Sequence, residues 1–400
     1  MRIPGVTSWC KFLQISTVSI VNKTVPSPVP PLDLTRQYST IETDVSAAVL
    51  QVLASGQYIN GPVVDSFAKE FGDYVGSREC AVCNSGTDAL YLALRALNIG
   101  EGDEVITSPF TFIATAEAIS AVGAKPIFID IERETFNLNP ALIEAAITKR
   151  TKAIMPVHIF GKPVDMDAVM AIAKAYDLPV IEDCAQATGA EWKGQRVGSI
   201  GHIGCFSFFP TKNLGGCGDG GALTTNDPEV AATAKLIRDH GSKVRYHHEA
   251  IGINSRLDAV QAAILKIKLQ HLEKWNQQRQ EVAERYQQLL APIDEVRSPK
   301  AIANGRTVWN QYSILLDGFT GEKRDRLRSA MQAQGVSTMV YYPLPLHRQP
   351  VYENLGYQPG DLPMTDRAAE EVLALPMFPE LSAAQQEQVV YALKDGLSSL

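Results

Sequence analysis

Between residues 103 and 183 the chain alternates two rhythms. Short β-branched or apolar runs, "DEVITS" at 103–108, "KPIFID" at 125–130, "KAIMPV" at 152–157 and "LPVIED" at 178–183, are separated by stretches such as "FIATAEAISAVG" and "DMDAVMAIAKAYD" with helical spacing of apolar positions. This alternation predicts βαβ units on a mostly parallel sheet, hence an α/β fold. Residues 256–291, rich in Gln, Leu, Lys and Glu, predict one or two long bridging helices. Beyond them, strands over "NQYSILL" (310–316) and "VSTMVYY" (336–342) and helices near 322–334, 364–373 and 382–396 predict a smaller α+β unit. The expected organisation is a poorly ordered extension over 1–30, a large domain over 31–255, the bridge over 256–291 and a small C-terminal domain over 292–400.

Composition narrows the function classes. A chain of 400 residues, 45% hydrophobic and 20% charged, can bury a large core and a second smaller one. Its net charge of -7, with Lys and Arg scattered, offers no basic field for a nucleic-acid partner. No apolar run reaches the roughly 18 residues that a membrane-spanning helix needs. Six unevenly spaced cysteines make no disulfide framework and suggest a reducing cytoplasm. Cys80 and Cys83 form a C-x-x-C without a second pair, so they read as strand-end cysteines packed as small hydrophobes, and no metal site is expected.

Four strand-to-helix junctions carry candidate chemistry. In "NSGTDALYLALRALNIG" (84–100) a small polar turn with Gly86 and Thr87 opens a helix whose free N–H groups suit a phosphate; the same turn would also serve as a plain N-cap. In "VIEDCAQATGA" (180–190) an apolar strand delivers Glu182 and Asp183 to its end, where a buried carboxylate needs a cation or hydrogen bonds. In "FSFFPTKNLGGCGDGGALTT" (206–225) Lys212 precedes five glycines that let backbone approach a ligand, and Ser207 can add a hydroxyl to an anion site. No G-x-x-x-x-G-K-[ST] occurs, and "FGKP" at 160–163 is only a turn. In "PFTFIATAEAI" (109–119) either Phe110 or Phe112 could stack on a flat ring, and either could be core.

A phosphate-holding helix start, a strand-end carboxylate, a reactive lysine and an aromatic platform together meet the needs of pyridoxal 5'-phosphate. Lys212 is then the Schiff-base lysine.

The ordered motifs "NSGTDAL", "SPFTFIATAEAI", "IEDCAQATGA", "SFFPTKNLGGCGDGGA", "GINSRLDAVQAAIL" and "YYPLPLHRQPVYENLGY" resemble the DegT/DnrJ/StrS family of nucleotide-sugar aminotransferases over about residues 31–398. The resemblance implies a fold type I, aspartate aminotransferase-like transferase with a mostly parallel central sheet. It implies a cytoplasmic homodimer in which each subunit completes the other's site. Carried over by motif, Lys212 is the Schiff-base lysine and proton shuttle, Asp183 pairs with the pyridine nitrogen, and Gln186 approaches the ring hydroxyl. Gly86, Thr87 and Ser207 hold the phosphate, Phe112 stacks on the ring, and Asn254 reaches the phosphate in the neighbouring subunit. Lys212 argues against the sugar dehydratases of the family, which carry histidine there.

Within the family, "GQYINGPVV", "RYHHEAIGINSRLDAVQAAIL" and "PLPLHRQPVYENLGY" are most similar to the WbpE/WlbC-type enzymes. Those move the amino group of L-glutamate to the C3 ketone of a UDP-linked 2-acetamido-2-deoxy-hexulosuronic acid for O-antigen-like polysaccharide. A dTDP-linked 3- or 4-keto-6-deoxyhexose is the alternative substrate, and a dehydratase or a non-catalytic sensor the alternative roles. A hexuronate carboxylate suits a guanidinium, with Arg256 the first candidate, His347 the second, and Arg245, Tyr246 and His248 as companions.

Overall fold

The computed structural model describes residues 27–400. The extension expected over 1–30 therefore lies mostly outside the described residues, and its last part needs correction. Val29 is fully buried, bridges Val336 and packs into the C-terminal core, so the ordered chain begins before residue 30.

Seven strands form the central sheet: β1 (Glu79–Cys83), β2 (Glu104–Thr107), β3 (Lys125–Phe128), β4 (Thr151–Met155), β5 (Ile181–Asp183), β6 (Ile203–Ser207) and β7 (Gly221–Thr225). They lie in the order β3-β2-β4-β5-β6-β7-β1, with β4 and β5 joined through the bridges Ile154–Val180 and Val157–Asp183. Only β7 runs against its neighbours. The expected mostly parallel sheet is present, and strands buried on both faces explain why the runs read as continuous apolar stretches.

Alternate residues feed opposite layers. Ala81, Cys83, Val105, Ala153 and Met155 face α3 (Gly86–Ala96), α4 (Ala114–Ala121) and α6 (Pro228–Arg238). On the other face, Ile106, Ile154 and Val180 pack on α5 (Met166–Ala175), while Val82, Phe206 and Ala222 meet α2 (Pro62–Val75) and the start of α7 (Ala259–Leu290). Cys83 is buried and Cys80 partly so, and burial pushes the Cys80 thiol up to about 12. Both cysteines pack as small hydrophobes.

The bridge is one 32-residue helix, α7, whose first half packs on the large unit and whose second half carries Val282, Ala283 and Tyr286 into the C-terminal core. That core holds the antiparallel sheet β8 (Val296–Arg297), β9 (Tyr312–Leu316) and β10 (Val372–Leu375), with α8 (Gly321–Ala333) and α10 (Ala383–Ser398) against it. The helix expected near 364–373 is α9 (Pro363–Glu371). No strand forms over 336–342. That segment makes only isolated bridges, Val336 to Val29 and Met339 to Ala374, because Tyr341 and Tyr342 turn toward the large unit and pack with Phe110 and Phe160. Among the described residues, no helix is long and apolar enough to cross a membrane.

Candidate active site

At the C-terminal ends of β5 and β6 a cavity of about 500 Å³ gathers Gly86, Thr87, Phe112, Asp183, Gln186, Ser207 and Lys212. Residues 86 to 212 meet there because parallel strands all end on one edge of the sheet. A hollow of about 530 Å³ elsewhere, between α2 and β1, has mixed charges such as Lys69, Asp73, Lys235 and Arg238 and contains none of the expected site residues.

One wall is the start of α3. Ser85 caps the helix by accepting the Asp88 N–H at 3.1 Å. Asp88 in turn accepts from the Ser255 hydroxyl at 2.6 Å, which ties the turn to the chain beside Asn254. A Cβ on Gly86 would lie 2.7 Å from the Ser207 Cβ, and one on Gly221 would lie 2.3 Å from the Ser85 carbonyl oxygen. Only glycine lets the helix start, with its outward N–H groups and positive dipole end, sit this close to Ser207. Gly86, Thr87 and Ser207 thus form a cradle with the chemistry of a phosphate site.

Asp183 stands on the floor, 4% exposed. Its carboxylate accepts the Thr115 hydroxyl at 2.8 Å and the Ala185 N–H at 3.1 Å, and Thr115 also contacts the Thr111 hydroxyl at 3.0 Å. Burial raises its pKa, while those two bonds and the Lys212 charge oppose the rise. A cationic ring nitrogen is the partner that such a carboxylate lacks. Lys212 is lowered to about 8 because surrounding protein disfavours its charge, and Asp183 only partly offsets this.

The Lys212 loop is clamped from below. Asn213 donates to Asn276 at 2.7 Å and to the Val308 carbonyl at 2.8 Å, Asn310 donates to Asn213 at 2.9 Å, and Lys268 donates to the Gly215 carbonyl at 2.7 Å. Gln186 is fixed by the Phe160 N–H, which it accepts at 2.7 Å, and by its own donation to the Tyr342 hydroxyl at 3.2 Å. Of the two candidate platforms, Phe110 is wholly buried against Phe136, and Phe112 lines the cavity with 57% of its surface exposed. Glycine-backed anion cradle, desolvated carboxylate, half-buried lysine and exposed ring fit pyridoxal phosphate in size and donor chemistry.

The model of the DegT/DnrJ/EryC1/StrS aminotransferase family matches residues 39–394. The chain belongs to that family. It is a pyridoxal-phosphate-dependent aminotransferase.

Among curated relatives, the pleiotropic regulatory protein of Geobacillus stearothermophilus is 48% identical over 90% of this chain and 96% of its own. The UDP-2-acetamido-2-deoxy-3-oxo-D-glucuronate aminotransferase of Pseudomonas aeruginosa is 44% identical over 90% and 98%. The dTDP-3-amino-3,4,6-trideoxy-alpha-D-glucose transaminase of Streptomyces venezuelae is 42% identical over 92% and 96%. Among solved structures, S. venezuelae DesV in complex with a ketimine intermediate matches with a TM-score of 0.89 at 41% identity, covering 92% of this chain and 98% of that one. Bacillus subtilis NtdA, with its cofactor pyridoxamine phosphate (PMP) bound, matches with 0.86 at 34% identity, covering 93% and 86%.

Six expected site residues of the aminotransferase lie away from its own cavity. Asn254 is exposed and bridges Asp239. Arg256 lies 3.7 Å from Asp239, which Arg238 also holds at 2.8 Å. Arg245, Tyr246 and His248 are exposed on the hairpin Ser242–His248, with Arg245 over the Tyr246 ring. His347 is buried with its Nε2 3.0 Å from Asp366, and burial lowers its pKa. Glu182 points to the opposite side of β5 from Asp183, accepting N–H groups of Gly198 and Ile200 and pairing with His158 at 3.0 Å. His158 Nδ1 accepts the Val164 N–H, so Nε2 carries the proton toward Glu182. Sequence reasoning missed Thr115, the Asn213–Asn276–Asn310 chain, Gln311 and Tyr342. Thr115, one turn after Thr111, Asn213, next to Lys212, and Tyr342 stood in segments already singled out, but nothing local showed which partners they would meet.

Proposed function

We propose that the enzyme moves the amino group of L-glutamate to the C3 ketone of a UDP-linked 2-acetamido-2-deoxy-hexulosuronic acid, giving a 3-amino sugar for a polysaccharide such as an O-antigen. The observation that carries the aminotransfer reading is the convergence of Lys212 and Asp183 on one cavity with a phosphate-type cradle at its wall. When bound there, pyridoxal phosphate supplies the electron sink that makes an α-amino carbon acidic. Lys212 Nζ, kept weakly basic by burial, takes the proton from the glutamate carbon bearing nitrogen and gives it up within that half of the cycle; in the second half, the same steps reversed, it delivers a proton to the sugar carbon that gains nitrogen. Asp183 would hold a proton on its pyridine nitrogen; Gly86, Thr87 and Ser207 would bind its phosphate, Gln186 would meet its ring hydroxyl, and Phe112 would cover the ring. Support for the uronate comes from the Pseudomonas relative and from the "RYHHEAIGINSR" motif. Its 44% identity stands beside 42% for a dTDP-sugar transaminase, so a dTDP-linked keto-6-deoxyhexose is the rival substrate.

The working unit in this reading is a cytoplasmic homodimer. Arg245, Tyr246, His248, Asn254 and Arg256 are not among the residues that line their own cavity. Across a two-fold axis they would meet the neighbour's cavity, Asn254 at the phosphate and Arg256 at the uronate carboxylate. His347, already paired with Asp366, is the weaker carboxylate candidate.

Visible absorbance of the holoenzyme tests the substrate. UDP-2-acetamido-3-amino-glucuronic acid is added in one cuvette and a dTDP-linked 3-amino-6-deoxyhexose in the other. A cofactor band lost only with the uronate supports the proposal; loss only with the deoxyhexose overturns the UDP substrate and keeps the aminotransferase. Glutamate that yields no 2-oxoglutarate would instead favour a lyase or a sensor.

A further inference from the structure

The loop between β4 and α5 carries a lysine that none of this chemistry uses. Lys162 is 3% exposed, and its Nζ donates one long bond, 3.4 Å, to the Glu134 carbonyl. Burial lowers its pKa to about 8, against the pull of Glu134 and Glu132. Beside it lie the Thr307 and Ser313 hydroxyls and the side-chain oxygen of Gln311, all three buried and without a hydrogen-bond partner among the described residues. These groups border one void of about 10 Å³, room for a single water centre. Three orphaned acceptors next to an under-used ammonium are an arrangement that one bridging water satisfies.

Gln311 has a second side. It borders the 500 Å³ cavity that holds Lys212 and, with Thr211 and Tyr341, an adjoining hollow of about 240 Å³ floored by Leu32, Met339 and Met377. We infer that Gln311 is a substrate contact: its amide NH2 faces the cavity and donates to an oxygen of the sugar, while its oxygen is held in the void by a buried water shared with Lys162, Thr307 and Ser313. The inference rests on the sugar-substrate reading above. Of the two amide atoms, the oxygen is the one buried without a partner, which leaves the NH2 for the cavity. Glutamate and the sugar take turns in the cavity, and only the larger fills the hollow behind Gln311. The contact therefore belongs to the sugar, and Lys162 is a positioning residue acting through Gln311.

Steady-state kinetics of the holoenzyme with glutamate and the accepted sugar nucleotide test this. Gln311→Leu should raise KM for the sugar on the order of tenfold, with kcat and the glutamate KM within about twofold of wild type. Lys162→Met and Ser313→Ala should each raise the sugar KM about threefold in the wild-type background and not at all in Gln311→Leu. Ser313→Ala carries this arm if Lys162→Met does not fold. A sugar KM unmoved in Gln311→Leu, equal shifts for both substrates, or a further rise on adding Lys162→Met overturns the assignment. A wild type that turns over no sugar nucleotide overturns the sugar reading and this inference together, whereas a wild type that accepts one beside an unaltered Gln311→Leu overturns Gln311 alone.

Discussion

A lysine amine surrounded by protein gives up its proton more readily than one in water, and Lys212 is lowered to about 8 with Asp183 as the charge that opposes the shift. Attachment of pyridoxal phosphate to the cofactor-free protein requires the unprotonated amine. Its rate should rise with pH up to about 8 and level off above it, because below that value the protonated form dominates. Stopped-flow absorbance measures this directly. Lys212→Ala should show no such phase, and its 2-oxoglutarate release should fall by at least about 10³-fold; near-normal release would remove Lys212 from the chemistry. Residue identity was readable at this scale for Lys212, Asp183, Gly86 and Ser207, because each sits in a short motif whose chemistry is local. Arg256 and His347 were legible as charged or polar candidates, but not their carboxylate neighbours Asp239 and Asp366. An ion pair is a relation between distant or differently folded segments, and sequence carries only its members.

At the scale of elements, the helix that opens at Gly86 does two jobs: its apolar face packs Leu90, Ala93 and Leu94 into the core, and its N-terminus forms the cradle wall. Gly86→Ala would put a methyl 2.7 Å from the Ser207 Cβ and push the helix start away from it. We expect Gly86→Ala to fold with its helix content intact and to lose cofactor on gel filtration that wild type retains, read as the ratio of visible to ultraviolet absorbance. Retention equal to wild type would place the phosphate elsewhere. The βα rhythm of residues 103–183 was legible because strand and helix periods differ and each segment's burial is two-sided or one-sided throughout. The segment 336–342 misled for the opposite reason: its β-branched and aromatic residues fit a strand, yet Tyr341 and Tyr342 pack against the large unit instead of joining a ladder. Propensity yields where tertiary contacts bury more.

For the whole molecule, Tyr58, Ile59, Val244, Tyr246 and Ile251 are exposed apolar side chains, and in the proposed homodimer they are the groups we expect a second copy to cover. If sites are shared in a homodimer, Lys212→Ala and Arg256→Ala subunits, each inactive alone, should regain turnover when co-folded, since one site in each mixed dimer has both groups intact. No recovery, with dimers present by light scattering, would put both groups in one subunit's site. By itself the sequence determined the α/β class, the edge of the sheet where ligands collect and the types of group needed there, since periodicity and short motifs are properties of neighbours along the chain. Local pattern left Phe110 and Phe112 open, the family resemblance implied Phe112, and the structure sets Phe112 on the cavity; tertiary structure alone decided that Thr115 meets Asp183, that α7 clamps the Lys212 loop, and that Gln311 lies between Lys162 and the cavity. Each of the last three joins residues dozens to more than a hundred positions apart. Such pairings form only when the folded core brings segments together, and no local pattern encodes which partner a side chain will find.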